Sequence, residues 1–164
     1  LGVSVFLSRN TSTKPLESER ITFANSTDAD LVISLSVDQY KNDKAEGLST
    51  YFYGSDHHGI HSIVGEKFAT IVQRELVART DLLNARTQAK TWDLLRLTKA
   101  PTVLLEIGYR TNPKDASRLA DSHFRDVIAE GLVVAIQRLY LSAEEDAKTG
   151  TLRIEDLRRA GIRR

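Results

Sequence analysis

The chain has 164 residues, 41% of them hydrophobic and 27% charged, which is enough for one soluble-type domain with its own core. Its net charge of +1 gives no general attraction to nucleic acid or an anionic membrane, and no apolar run approaches the roughly 18 residues a membrane span needs. It has no cysteine, which excludes disulfides and thiolate metal sites, and no methionine, so we expect an internal or C-terminal piece of a longer protein.

In chain order, "VSVFLS" (Val3 to Ser8) is rich in β-branched and aromatic residues and predicts a strand. "NTSTKP" reads as a loop. Pro15 then opens a helix to about Thr27, with Glu17 and Glu19 in its first turn, where the helix dipole favours them. "LVISLSVD" (Leu31 to Asp38) predicts a buried strand. Ser36 stands near its C-terminal end, the end at which open α/β sheets carry their chemistry. "QYKNDKAEG" is a solvated loop, "LSTYFY" a third strand and "GSDHHGIH" a second loop. From Ser62, the spacing of Ile63, Val64, Phe68, Ile71, Val72 and Leu76 is helical.

Residues 78–100 read as mixed loop, with a short extended or helical turn around Trp92 to Leu97. "PTVLLEIGY" is a near-continuous apolar strand, as expected for burial on both faces of a parallel sheet. "TNPKDASRLAD" gives a turn and a short helix with Asp115 early in it. Phe124, Val127, Ile128, Leu132, Ala135, Ile136 and Leu139 mark the last long helix. Strands alternating with helices predict an α/β fold with a mainly parallel sheet flanked by helices. The pattern stops after Leu141, so we expect a folded domain over 1–141 and a charged tail over 142–164, with "RIEDLRRAG" as a candidate short helix.

Glu106, inside "VLLEIG", is the strongest single candidate for chemistry, because a carboxylate is rarely buried unless paired or employed. The alternative is a carboxylate facing a polar crevice or paired with Arg9 or Arg20. His57, His58 and His61 have spacing that can bind zinc, but in a polar loop they are more simply solvated. Ser36 has no G-x-S-x-G elbow and no histidine near it in sequence, which favours a satisfied strand serine over a nucleophile. Arg158, Arg159, Arg163 and Arg164 form either a contact patch for an acidic partner or a solvated tail.

Taken together, "LSR", "ERITFANSTDADLVISLS", "GLSTYFYGS", "WDLLRLTKAPTVLLEIGYRTNPKDASRL" and "FRDVIAEGL" resemble the zinc-dependent N-acetylmuramoyl-L-alanine amidases of type 3, in the right order over about residues 1–140. The resemblance implies an α/β fold and cleavage of the bond between muramic acid and the first L-alanine of the peptidoglycan stem. It implies a zinc held by His, Glu and His, with a further Glu as base. Carried over, Glu106 falls on that base. Arg20, Ala24, Asn25, Ala29 and Asp30 fall on the scaffold motif, and Asn112 on the asparagine after the strand.

The departures from the family pattern concern the metal. The first two zinc ligands belong to elements that would precede Leu1, and Ser36 stands where the second zinc histidine is expected. Asp38, two residues along the strand, is a weak substitute for it. The expectation is therefore a catalytically defective amidase-like domain that needs no cofactor. Within the family it looks most like the actinobacterial CwlM type, amidase-like regulators associated with cytoplasmic control of peptidoglycan precursor synthesis through the enolpyruvyl transferase MurA. The arginine-rich tail would suit such a partner.

Two rival expectations stand beside this one. The chain could be part of an active, exported zinc amidase completed by Asp38 or a loop histidine, or a wall anchor that binds muropeptide without cutting it. The family's first strand lies within its sheet. Without it, backbone groups would go unpaired, so this stretch is expected to be stable only with more polypeptide or inside a complex.

Overall fold

The computed structural model describes residues 2–10, 12–55 and 59–148. Its elements are α1 (Glu17–Ser26), β1 (Val32–Asp38), β2 (Leu48–Ser55), β3 (Ile60–His61), α2 (Ile63–Arg79), β4 (Asn84–Lys90), α3 (Asp93–Leu97), β5 (Thr102–Tyr109), α4 (Pro113–Ala120) and α5 (Ser122–Lys148).

Helix starts follow the local chemistry. The Leu16 N–H donates to Glu19 Oε2, 2.7 Å away, at the head of α1. Ser62 Oγ caps α2 by accepting from the Gly65 N–H. Asn112 caps α4 by accepting from the Lys114 and Asp115 N–H groups, with Pro113 in the first turn, where its missing N–H costs nothing. None of the helices among the described residues is long and apolar enough to cross a membrane.

The sheet runs β1-β5-β2, with β4 on the outer side of β2 and the short β3 pairing its end. β1 is parallel to β5 and β4 is parallel to β2, but β2 runs antiparallel to β5. The α/β architecture is therefore as expected, whereas the sheet is mixed. One face packs on α2 and α5. Phe68, Val72 and Leu76 of α2 meet Leu48 and Phe52 of β2, Val103 and Leu105 of β5, and Ile128, Ala135 and Leu139 of α5. By strand alternation, Ser34, Ser36, Ser49, Tyr51 and Glu106 belong to the other face, where Arg20 of α1 donates to Ser34 Oγ and Trp92 at the head of α3 packs on Tyr51.

Several local expectations change. Val3, Val5, Phe6 and Leu7 are exposed, and residues 3–8 form no strand. Their β propensity describes side chains that fit a half-buried pleated surface, and no described strand supplies one. β1 is an edge strand, with Leu35 and Val37 exposed where full burial was expected. β3 forms within a predicted loop, by pairing with Gly54 and Ser55.

β4 lies within the stretch read as mixed loop. It carries one extra residue against β2: Leu48 pairs Asn84, but Thr50 pairs Thr87, and Arg86 in the bulge has φ +74°. At the other end of the chain, α5 runs to Lys148, beyond Leu141. Arg158, Arg159, Arg163 and Arg164 lie outside the described residues.

Candidate active site

Glu106 projects from β5 in a row of cross-strand partners. It is in register with Ser36 of β1 on one side and Ser49 of β2 on the other. Its Oε2 accepts a 2.8 Å hydrogen bond from the Tyr51 hydroxyl. Burial pushes the Glu106 carboxyl above the usual carboxylate range. The Tyr51 bond opposes that shift, the Asp38 charge adds to it, and Lys90 opposes it.

Burial, opposed by a hydrogen bond with Ser49 and reinforced by Glu106, pushes the Tyr51 phenol up to about 12. Tyr51 therefore remains a donor to Glu106 across the physiological range. The expected arginine partners do not reach Glu106. Arg9 donates to the Thr13 carbonyl, and Arg20 is engaged by Ser34 and Glu17.

Asp38 follows a register shift in β1 and pairs Tyr109 rather than the residue next but one after Glu106. Its own Oδ1 accepts from the Gln39 N–H and its carbonyl from the Arg110 N–H. Its charge still raises the carboxyl of Glu106, and it adds to the burial that raises the phenol of Tyr109. This end of the sheet thus gathers a serine hydroxyl and two carboxylates. Among the described residues, no group of three His, Cys, Asp or Glu side chains could hold a metal ion. Among the described residues this cluster offers oxygen donors and no imidazole, whereas a catalytic zinc site ordinarily includes imidazole or thiolate ligands.

His61 is not part of this cluster. It lies on β3 with Nε2 3.0 Å from Glu66 Oε2 of α2 and its ring edge-on to Phe52, which belongs to the core face. His57 and His58 lie outside the described residues.

Several contacts that hold the site escaped the sequence reading, although Asn25, Asn112 and Asp115 were named in it. Fully buried Asp115 accepts from the Gly47 and Tyr109 N–H groups through Oδ2 and pairs with Arg118 through Oδ1. It thereby clamps the loop before β2 to the end of the strand that carries Glu106. The strand leaves Glu106 through Gly108 at φ +77°, where a Cβ would stand 3.0 Å from the Asp115 side chain. Glycine two residues after a buried carboxylate was the available signal. Asn25 ties α1 to the α3–β5 connection, donating to the Leu97 carbonyl and accepting from the Lys99 N–H. Asn112 donates to the Asp43 carbonyl. Lys90 places its ammonium 6.0 Å from the Tyr51 ring centre and 5.7 Å from that of Trp92, and the two rings stand 4.8 Å apart, tilted by 50°.

Comparison with known proteins gives concordant results. The family model described as N-acetylmuramoyl-L-alanine amidase, Amidase_3, matches residues 1–138. The chain is 43% identical over 157 residues to the N-acetylmuramoyl-L-alanine amidase CwlM of Mycobacterium tuberculosis, covering 96% of this chain and 38% of that protein. It is 29% identical over 114 residues to the probable cell wall amidase LytH of Staphylococcus aureus, covering 70% of this chain and 36% of that one. The chain thus spans well under half the length of these relatives. Among solved structures, the N-acetylmuramoyl-L-alanine amidase of Clostridium difficile 630 superposes with a TM-score of 0.73 at 25% identity, over 84% of this chain and 71% of its own.

Proposed function

Because the chain belongs to the N-acetylmuramoyl-L-alanine amidase family, we propose that it is an amidase-like domain that has lost zinc hydrolysis and works as a regulator or binding module in bacterial peptidoglycan synthesis. The observation that carries this reading is Ser36. The resemblance sets it at a zinc-ligand histidine, and it is paired in register with Glu106, which the same resemblance sets at the family's base. Catalytic zinc takes three protein ligands and a water, and brings that water's pKa to about 7. A neutral hydroxyl in place of an imidazole removes a strong nitrogen donor from that set. Glu106 keeps its place and its Tyr51 partner, so the site retains a hydrogen-bonding carboxyl without the activated water it would serve.

Under this reading the protein is cytoplasmic and its partner is a precursor-synthesis enzyme such as MurA. The second reading is an active zinc amidase exported to the wall. It is favoured by one observation: Asp38 lies near enough for its charge to act on Glu106.

Metal content of the full-length protein separates the two. Wild type is expected to purify without stoichiometric zinc and to release no stem peptide from peptidoglycan, while Ser36→His takes up zinc. Stoichiometric zinc with turnover in wild type would establish the amidase instead. For the partner, calorimetric titration of MurA into the full-length protein is expected to give saturable binding, and a flat titration removes MurA.

A further inference from the structure

We infer that a trough between α2 and β4 takes an acidic, extended segment of a partner protein, with Arg74 and Arg86 holding its carboxylates and small apolar side chains lying along the rest. The trough is on the sheet face opposite Glu106, so the inference stands whether or not the domain hydrolyses peptidoglycan.

Two hollows in line make up the trough. The larger, of about 460 Å³, lies between Thr70, Arg74 and Ala78 of α2 and Asn84, Arg86 and Thr87 of β4. The smaller, of about 180 Å³, lies between Glu66 of α2, His61 of β3 and Ala89 of β4. Thr87 and Ala89 share one face of β4, and Glu66 and Thr70 are one helical turn apart, so the hollows meet end to end. Gly54 lets Ala89 and His61 close together there, since a Cβ on it would stand 3.0 Å from both side chains. From Asn84 to Ala89 the strand covers about 17 Å, and from Glu66 to Ala78 the helix covers about 18 Å. That length seats about five residues of extended chain.

The unpaired charge is at the Asn84 end. Glu75 faces three guanidiniums, those of Arg79, Arg138 and Arg74. Arg74 is the most loosely held of them, at 3.3 Å and with 62% of its side chain exposed. Arg86 forms no ion pair among the described residues, and among them no carboxylate lines the larger hollow. Two guanidiniums beside a hollow without an acid of its own favour a ligand with paired carboxylates. The rest of that lining is Val77, Ala78 and the methyl groups of Thr70 and Thr87, and the Thr87 hydroxyl is already paired with Thr50. Such a surface suits small apolar side chains. A nucleic acid strand would need cations and stacking rings along the whole length. The extra residue at Arg86 upsets the spacing of the outer backbone groups of β4, so the segment is held by side chains and does not extend the sheet.

The test is selection of a phage-displayed library of random heptapeptides on the immobilised full-length protein, followed by fluorescence anisotropy of the enriched peptides. Those peptides are expected to carry two acidic residues near one end and small apolar residues elsewhere. Arg74→Gln should weaken their binding about three- to fivefold, as should Arg86→Asn, which suits the left-handed backbone there, and the two together should weaken it by about tenfold or more. Arg86→Lys should keep most of the affinity. Thr70→Trp, which fills the trough without altering charge, should abolish binding. Added sodium chloride should weaken binding to wild type, and the double variant should lose most of that dependence. Circular dichroism confirms that each variant is folded, and Ala78→Gln replaces Thr70→Trp if the latter is not. No enrichment, enriched peptides without acidic pairs, or affinities indifferent to both arginines and to the filled trough would overturn the inference. So would an oligodeoxythymidylate that competes as well as the peptides do. Zinc content decides the proposed function separately, and none of these outcomes bears on it.

Discussion

Glu106 is held by opposing forces of similar kind. Burial and Asp38 favour its neutral form, while the Tyr51 hydroxyl and Lys90 favour the anion, and the net shift is upward. The folded state therefore binds this proton more tightly than the unfolded chain. That contribution to stability is full below the unfolded carboxyl pKa and is lost as pH rises through the higher folded value. Glu106→Gln, which never ionises, should gain in melting temperature relative to wild type between pH 4 and pH 7. A relative loss over that interval would mean that the carboxylate, once ionised, is better served by its partners than burial allows. Glu106 and Ser36 were legible because a carboxylate and a hydroxyl interrupt apolar strands. Tyr51, Lys90 and Trp92 were not, because their meeting depends on the register of β4 beside β2, which one-dimensional spacing does not contain.

At the scale of the element, the strand carrying Glu106 is secured from behind by α4. Asp115 serves two backbone N–H groups and Arg118 from a fully buried position. Asp115→Ala strands all three, and should cost about 3–5 kcal/mol, the range for breaking one side of a buried charged pair. Urea unfolding measures it, and a cost under about 1 kcal/mol would mean that water takes the carboxylate's place. Gly47 belongs to the same joint. At φ +107°, any Cβ there would fall 2.3 Å from the Leu83 carbonyl oxygen.

Helices α2, α4 and α5 were readable from periodicity and caps, and β2 and β5 from their apolar runs. β4 was hidden because "NARTQAK" has one β-branched residue, no aromatic and no alternation. Its place comes instead from β2 beside it and from Gln73 of α2, which donates to Asn84 Oδ1 and to the Leu48 carbonyl. The reverse error occurred at residues 3–8, where composition suggested a strand and no described strand pairs with it.

At the scale of the whole molecule, α2 and α5 close the sheet face opposite Glu106 and are joined by a buried carboxylate. Glu75 of α2 pairs with Arg79 and Arg74 of its own helix and with Arg138 of α5. Burial opposes its ionisation, but the Arg79 hydrogen bond and the Arg138 charge prevail and hold the carboxyl below its usual value. Its contribution is present above the unfolded carboxyl pKa and disappears as pH falls through the folded one. Glu75→Gln should be less stable than wild type by about 1–3 kcal/mol at pH 7, the scale of hydrogen bonds to a charged group. Chemical denaturation at pH 7 and pH 3 should show that gap narrowing in acid, and a gap independent of pH would make Glu75 a packing residue only.

Beyond this joint, β4 ends the sheet with Arg86 in a left-handed conformation and an extra residue out of step with β2. A second copy approaching that margin would find its amide and carbonyl rungs unevenly spaced and a charged side chain in the way. The margin of β4 is thus a poor template for fibril growth.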